Sequence, residues 1–180
     1  WMRTSAHNCG LWICGDNIAC ELAQSSTGGA LSLMSFWCGV DFVATSYFDE
    51  TGGRMEGGVV TPLVTGNSDM GIFVHSGVPD KFYVYGGCPI INQFDCLEKT
   101  AGGKYALSYP SYLGTNYYGA ISKATTNTSG FPVRTMWFGF SYAFVRDDVN
   151  VAPMDKFEIA NDVLVWLQNE TNVGISGNET

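Results

Sequence analysis

Cys14 is the residue whose surroundings in the sequence most invite chemistry. It closes the apolar run Leu11-Trp12-Ile13 and is followed by Gly15, Asp16 and the start of a helical pattern. A thiol there would feel the positive end of a helix dipole, which favours the nucleophilic thiolate. Attack on an amide or ester also needs a base within hydrogen-bond reach. The chain has two histidines, His7 ahead of the first strand and His75 on a β-type run, so Cys14 with His75 is the candidate catalytic pair. Against it stands the simpler reading, a Cys14 that is buried or bonded to another sulfur.

Other side chains suggest metals and modification. His7, Cys9, Cys14 and Cys20 form H-x-C-x4-C-x5-C, which lacks the C-x2-C knuckle of structural zinc. Asp147 and Asp148 could hold calcium through oxygen in a surface loop, or simply be solvated. No other cofactor is implied, because GGRMEGG and GGKYAL match neither phosphate-binding glycine fingerprint. Asn127, Asn169 and Asn178 each begin an N-x-[ST] sequon in an expected loop and are candidate glycosylation sites. Six cysteines permit disulfides in an oxidising compartment, and Cys88 with Cys96, flanking the short loop CPIINQFDC, is the local candidate pair. The alternative is that both pack as small hydrophobes. Tyr105, Tyr109, Tyr112, Tyr117 and Tyr118 are dense enough to stack on sugars, with sheet packing as the ordinary use.

The chain has 180 residues and a net charge of −8, with 46% apolar and only 14% charged residues. That supplies a core and argues against disorder. An acidic chain without a Lys/Arg cluster does not suit nucleic acid, and no apolar run approaches a membrane-spanning helix. Trp1 is not a translation start and no signal peptide follows it, as in a mature or excised form, while 169–180 is polar like a linker or tail. Low charge with many Gly and aromatic residues suits a secreted or cell-surface protein. The expected layout is a single α/β domain over 1–168.

The elements that must position these residues follow from periodicity. Residues 11–23 predict a strand, a turn and a helix with Asp16 as N-cap; residues 31–38 predict a second short helix. From 40 to 118, short β-type runs alternate with Gly-rich turns. Residues 118–124 and 133–145 predict two strands joined by a hairpin-like connection, the second buried on both faces. Asp155-x-x-Glu158 has capping-box spacing, and Phe157, Ala160, Val163, Leu164 and Leu167 predict the apolar stripe of a helix over 155–168.

LWICGDNIACEL resembles the strand, turn and helix of class I glutamine amidotransferase-like domains of secreted bacterial proteins. RTMWFGFSYAFVRDD followed by EIANDVLVWL resembles their closing strand and last helix, and the polar tail resembles the linker to a C-terminal immunoglobulin-like sorting module. The likeness covers roughly 9–46 and 117–172. It implies a flavodoxin-like fold: a mainly parallel sheet with flanking helices, a β-rich middle insertion and missing first strands. In active members a His in the segment matching GFSYAFVRDD activates an elbow Cys; this sequence has no His there and lacks the Gly-x-Cys-x-Gly elbow. The resemblance therefore implies a secreted, non-catalytic domain with a structural, assembly, glycan-binding or partner-binding role. The alternatives are a Cys14-dependent amide or ester hydrolase and a subunit of an extracellular fibre. Expected partners are other extracellular chains or copies of itself, because a sheet short of its first strands exposes an edge.

Overall fold

The computed structural model describes residues 2–25, 27–51, 62–84, 93–146 and 155–168. In chain order these form β1 (Cys9–Cys14), α1 (Ile18–Gln24), α2 (Gly28–Leu31) running into a π-helical stretch (Ser32–Cys38), β2 (Val40–Ser46) and α3 (Tyr47–Thr51). There follow β3 (Leu63–Gly66), β4 (Val74–His75), β5 (Val78–Pro79), β6 (Lys81–Tyr83), β7 (Asp95–Lys99), β8 (Gly103–Tyr112), β9 (Thr115–Thr126) and β10 (Pro132–Phe138). A 3-10 turn (Tyr142–Phe144) and α4 (Lys156–Leu167) end the described fold.

Six strands make one sheet in the order β1-β10-β9-β8-β3-β6, while β2 pairs with β7 and β4 with β5 in two smaller ribbons. The mixed α/β class expected from the sequence is present. The mainly parallel, flavodoxin-like sheet is not: only β1 with β10 is parallel, and the other pairings in the large sheet are antiparallel. The connections explain this. Leu113 and Gly114 both take positive φ, the two-residue turn that matches strand twist, and join β8 directly to β9. The 127–131 loop is likewise too short for the crossover that a parallel neighbour requires.

β10 is buried from both sides, as its nearly unbroken apolar run implies. Trp137 faces a cluster with Ala19, Met34, Cys38, Val40, Leu97 and Ile121, which seats α1 and the π-helical stretch on one face of the sheet. Met136 and Phe138 face a larger cluster with Phe73, Phe82, Phe140, Ile159 and Val163, which seats α4 on the other. The period-2 alternation of a strand thus supplies both layers. The strand expected to run to Val145 stops at Phe138. Gly139 exchanges its backbone groups with Gly119 and Asp95 instead, and a Cβ there would lie 2.4 Å from the Asp95 carbonyl.

α4 begins with the expected capping box: Asp155 accepts from the Glu158 amide at 2.8 Å and Glu158 accepts from the Asp155 amide at 3.1 Å. Its buried face is rotated from the expected stripe. Ile159, Asp162, Val163 and Trp166 point inward, whereas Phe157 is 81% and Leu164 50% exposed. The broad ring of Trp166 and the branched Ile159 fill the space above the sheet, and a carboxylate is carried in with them.

Candidate functional site

Cys14 ends β1 with its side chain exposed, directly ahead of the turn into α1. The turn is built differently from its sequence expectation. Asp16 does not cap α1; its two carboxylate oxygens accept from the amides of Gln93 and Phe94, at 3.1 and 2.6 Å. Asn17 holds the N-cap position in the left-handed region without a side-chain cap. The open amide of Ala19 is satisfied across the fold by Asp95, at 2.8 Å. Two carboxylates therefore tie the α1 turn to the start of β7, beneath the ends of the parallel strands.

Asp95 is 1% exposed, and its Oδ1 has no hydrogen-bond partner. Burial pushes its pKa up to about 7, against the pull of the Ala19 and Cys20 amides and with a smaller push from Asp16. Asp16 is also raised, chiefly by burial, with the Phe94 and Gln93 amides opposing. Among the described residues the Cys14 thiol makes no hydrogen bond.

His75 stands elsewhere, on the β4–β5 hairpin. Ser76 and Gly77 both take positive φ, the geometry of a two-residue hairpin turn, so His75 pairs with Val78 and the chain returns to Asp80. The base of this hairpin is fixed by the Asp80 amide donating to the Phe73 carbonyl and the Gly66 amide donating to the Asp80 carbonyl. Gly66 is obligatory, since a Cβ there would sit 1.8 Å from the Phe73 oxygen. His75 Nδ1 lies 2.7 Å from Asp80 Oδ2, and Nε2 faces Asp162 Oδ2 at 3.7 Å. Asp162 comes from α4 and is 8% exposed, and its Oδ2 is buried with no hydrogen-bond partner. Burial raises its pKa to about 6; His75 lowers it, and Asp80 and Glu158 add to the rise.

Asp80 and Asp162 were not legible as a site. Nothing in their spacing marks them, although Asp162 lies three residues after Ile159 and four before Trp166, on what a helical wheel makes the inner face.

The remaining candidates separate. Cys9 is buried with its thiol on the His7 carbonyl, Cys20 lies beside Gln24, and these do not converge with His7 and Cys14. Among the described residues the metal-capable group is instead His75, Asp80 and Asp162, whose ligand atoms lie within 4.8 Å of one another. Cys96 is a buried free thiol, and Cys88 lies outside the described residues, as do Asp147, Asp148, Asn169 and Asn178. Asn127 is 6% exposed; its Nδ2 donates to the Met2 and Ser5 carbonyls and its Oδ1 accepts from Ser129 and Phe131. The tyrosines pack on the protein itself: Tyr109 and Tyr117 are buried around Tyr47, and Tyr105 stacks on Tyr118.

The two edges of the large sheet differ in kind. β6 is three residues long, begins with Lys81, and its far side is met by the Val84–Val145 bridge and by the Arg146 amide on the Tyr83 carbonyl. β1 is six residues long, carries neither charge nor proline, and pairs through one side only among the described residues. No family model matches this chain, and no curated protein or solved structure matches it.

Proposed function

We propose that this chain is a non-catalytic assembly domain of a secreted or cell-surface protein, which joins a second copy of itself by adding strand to strand along β1. The observation that carries this reading is the contrast between the sheet edges. Proteins that must remain single blunt their edges with short strands, lysine, proline or cover, and β6 has such protection. β1, reading Cys-Gly-Leu-Trp-Ile-Cys, is six residues long with neither lysine nor proline, and among the described residues it pairs with β10 alone. A strand that pairs on one side leaves alternate amides and carbonyls pointing outward, a template for another strand. Two copies related by a two-fold axis would place β1 against β1 in a self-complementary contact.

The hydrolase alternative is less well supported. His75 has a carboxylate facing each ring nitrogen, and Cys14 has no described hydrogen-bond partner. The glycan-binding alternative is also less well supported, because Tyr109 and Tyr117 are buried around Tyr47 and Tyr105 stacks on Tyr118. The assembly reading rests on β1 alone and not on the amidotransferase-like resemblance.

The test is sedimentation of the purified chain over a wide concentration range, beside Cys14→Lys. That substitution sets a charge at the exposed end of the edge without touching the core. Association of the parent that weakens in the variant supports the proposal; a parent that stays monomeric throughout removes it.

A further inference from the structure

We propose that His75, Asp162 and Asp80 form a site for a first-row divalent metal ion, with zinc the best match. In it, His75 Nε2 and Asp162 Oδ2 bind the ion and Asp80 orients the ring. The argument starts from the two ring nitrogens. Nδ1 lies 2.7 Å from Asp80 Oδ2; a carboxylate there accepts from an Nδ1 proton, and in the neutral imidazole that tautomer leaves a lone pair on Nε2. This carboxylate–imidazole arrangement fixes ring orientation and raises ligand basicity at metal centres. Nε2 then faces Asp162 Oδ2 across 3.7 Å, too long for a hydrogen bond. Two donors on one zinc ion at ordinary bond lengths stand about 3.4 Å apart in a tetrahedral shell. Closing a gap of a few tenths of an ångström needs only a small rotation of the exposed His75 side chain.

The second observation is independent of this spacing. Asp162 is held 8% exposed on an otherwise apolar helix face, and the oxygen aimed at His75 has no hydrogen-bond partner. A buried carboxylate oxygen without a hydrogen bond is costly, and a cation there would satisfy it. Glu158 lies one turn earlier on α4 and is near enough to raise the Asp162 pKa, so it adds negative charge to the same place. An imidazole with carboxylates suits zinc and its first-row neighbours, whereas calcium asks for six or more oxygens. With two protein ligands the site would be completed by water or by a group from another molecule. The metal would clip the β4–β5 hairpin to α4, two elements far apart in sequence.

The experiment is calorimetric titration with zinc chloride at neutral pH, with Cys14→Ser present throughout because an exposed thiol also takes zinc. The parent, His75→Ala and Asp162→Asn are compared, each first shown to be folded by its circular dichroism. The proposal expects one saturable site per chain, at least tenfold weaker in both variants. It also expects the His75 Nε2 resonance to shift on addition of zinc. No saturable binding would overturn it, and so would binding that both variants retain. This outcome is separate from the oligomeric state and leaves the β1 reading untouched.

Discussion

Replacing Asp95 by Asn should make the protein more stable in mildly alkaline solution. Asp95 is 1% exposed, and burial lifts its pKa from 3.8 to about 7. A carboxyl whose folded pKa is raised contributes stability that is complete below the unfolded value and is lost as pH climbs through the folded value. The window is therefore pH 3.8 to about 7. Across that interval the loss amounts to about 4 kcal/mol, an upper limit that relaxation and water entry reduce. Asn keeps a carbonyl oxygen for the Ala19 amide, which Asp95 now caps at 2.8 Å, and removes the buried charge. The expected gain at about pH 8 is roughly 1–3 kcal/mol, shrinking to about zero near pH 4. Asp95→Ala, which removes the cap as well, should gain less than Asn at every pH. The assay is urea unfolding followed by tryptophan fluorescence at several pH values. Some slope should survive in Asp95→Asn, because Asp162, raised to about 6, acts in the same direction. An Asn variant that is less stable than the parent at about pH 8 would refute the reasoning, since the ionised carboxylate would then be favourable where it sits.

Three further outcomes follow from local geometry. Asp155→Ala should cost about 1 kcal/mol by removing one half of the α4 capping box, read by thermal unfolding. Gly66→Ala drives a Cβ into the Phe73 carbonyl and should cost about 3 kcal/mol, with the β4–β5 hairpin exchanging its amides faster. Cys14 should be modified by a thiol reagent well before Cys38 and Cys96, which are buried and whose pKa values burial pushes up to about 12. Mass spectrometry of a labelling time course checks that order.

What could be learned from sequence tracks how local its cause is. The α4 cap is set by two side chains three residues apart, and it is found where Asp155 and Glu158 predict it. The turns of the middle region are equally local, and the runs they separate become β2, β3, β4, β6 and β8. Strand order is not local. The parallel pairing of β1 with β10 joins residues more than a hundred positions apart, and the expectation of a mainly parallel sheet rests on family likeness and not on turn chemistry. Apolar periodicity misplaces the inner face of α4 because Phe157 and Leu164 are apolar and yet exposed, while Asp162 is polar and yet buried. The same buried polar residue is what makes the His75 cluster, so one error hid both. Asp95 shows a similar effect: a carboxylate from β7 caps α1 across the fold, leaving nearby Asp16 to the amides of Gln93 and Phe94.

The most direct test of assembly through β1 is hydrogen exchange at the amides of Cys9 to Cys14, measured from dilute to concentrated protein alongside the sedimenting mass. Edge pairing predicts that the outward-facing amides of β1 slow as the mass rises, that those of β6 do not change, and that Cys14→Lys abolishes both effects. Exchange in β1 that is independent of concentration while the chain stays monomeric would contradict the account.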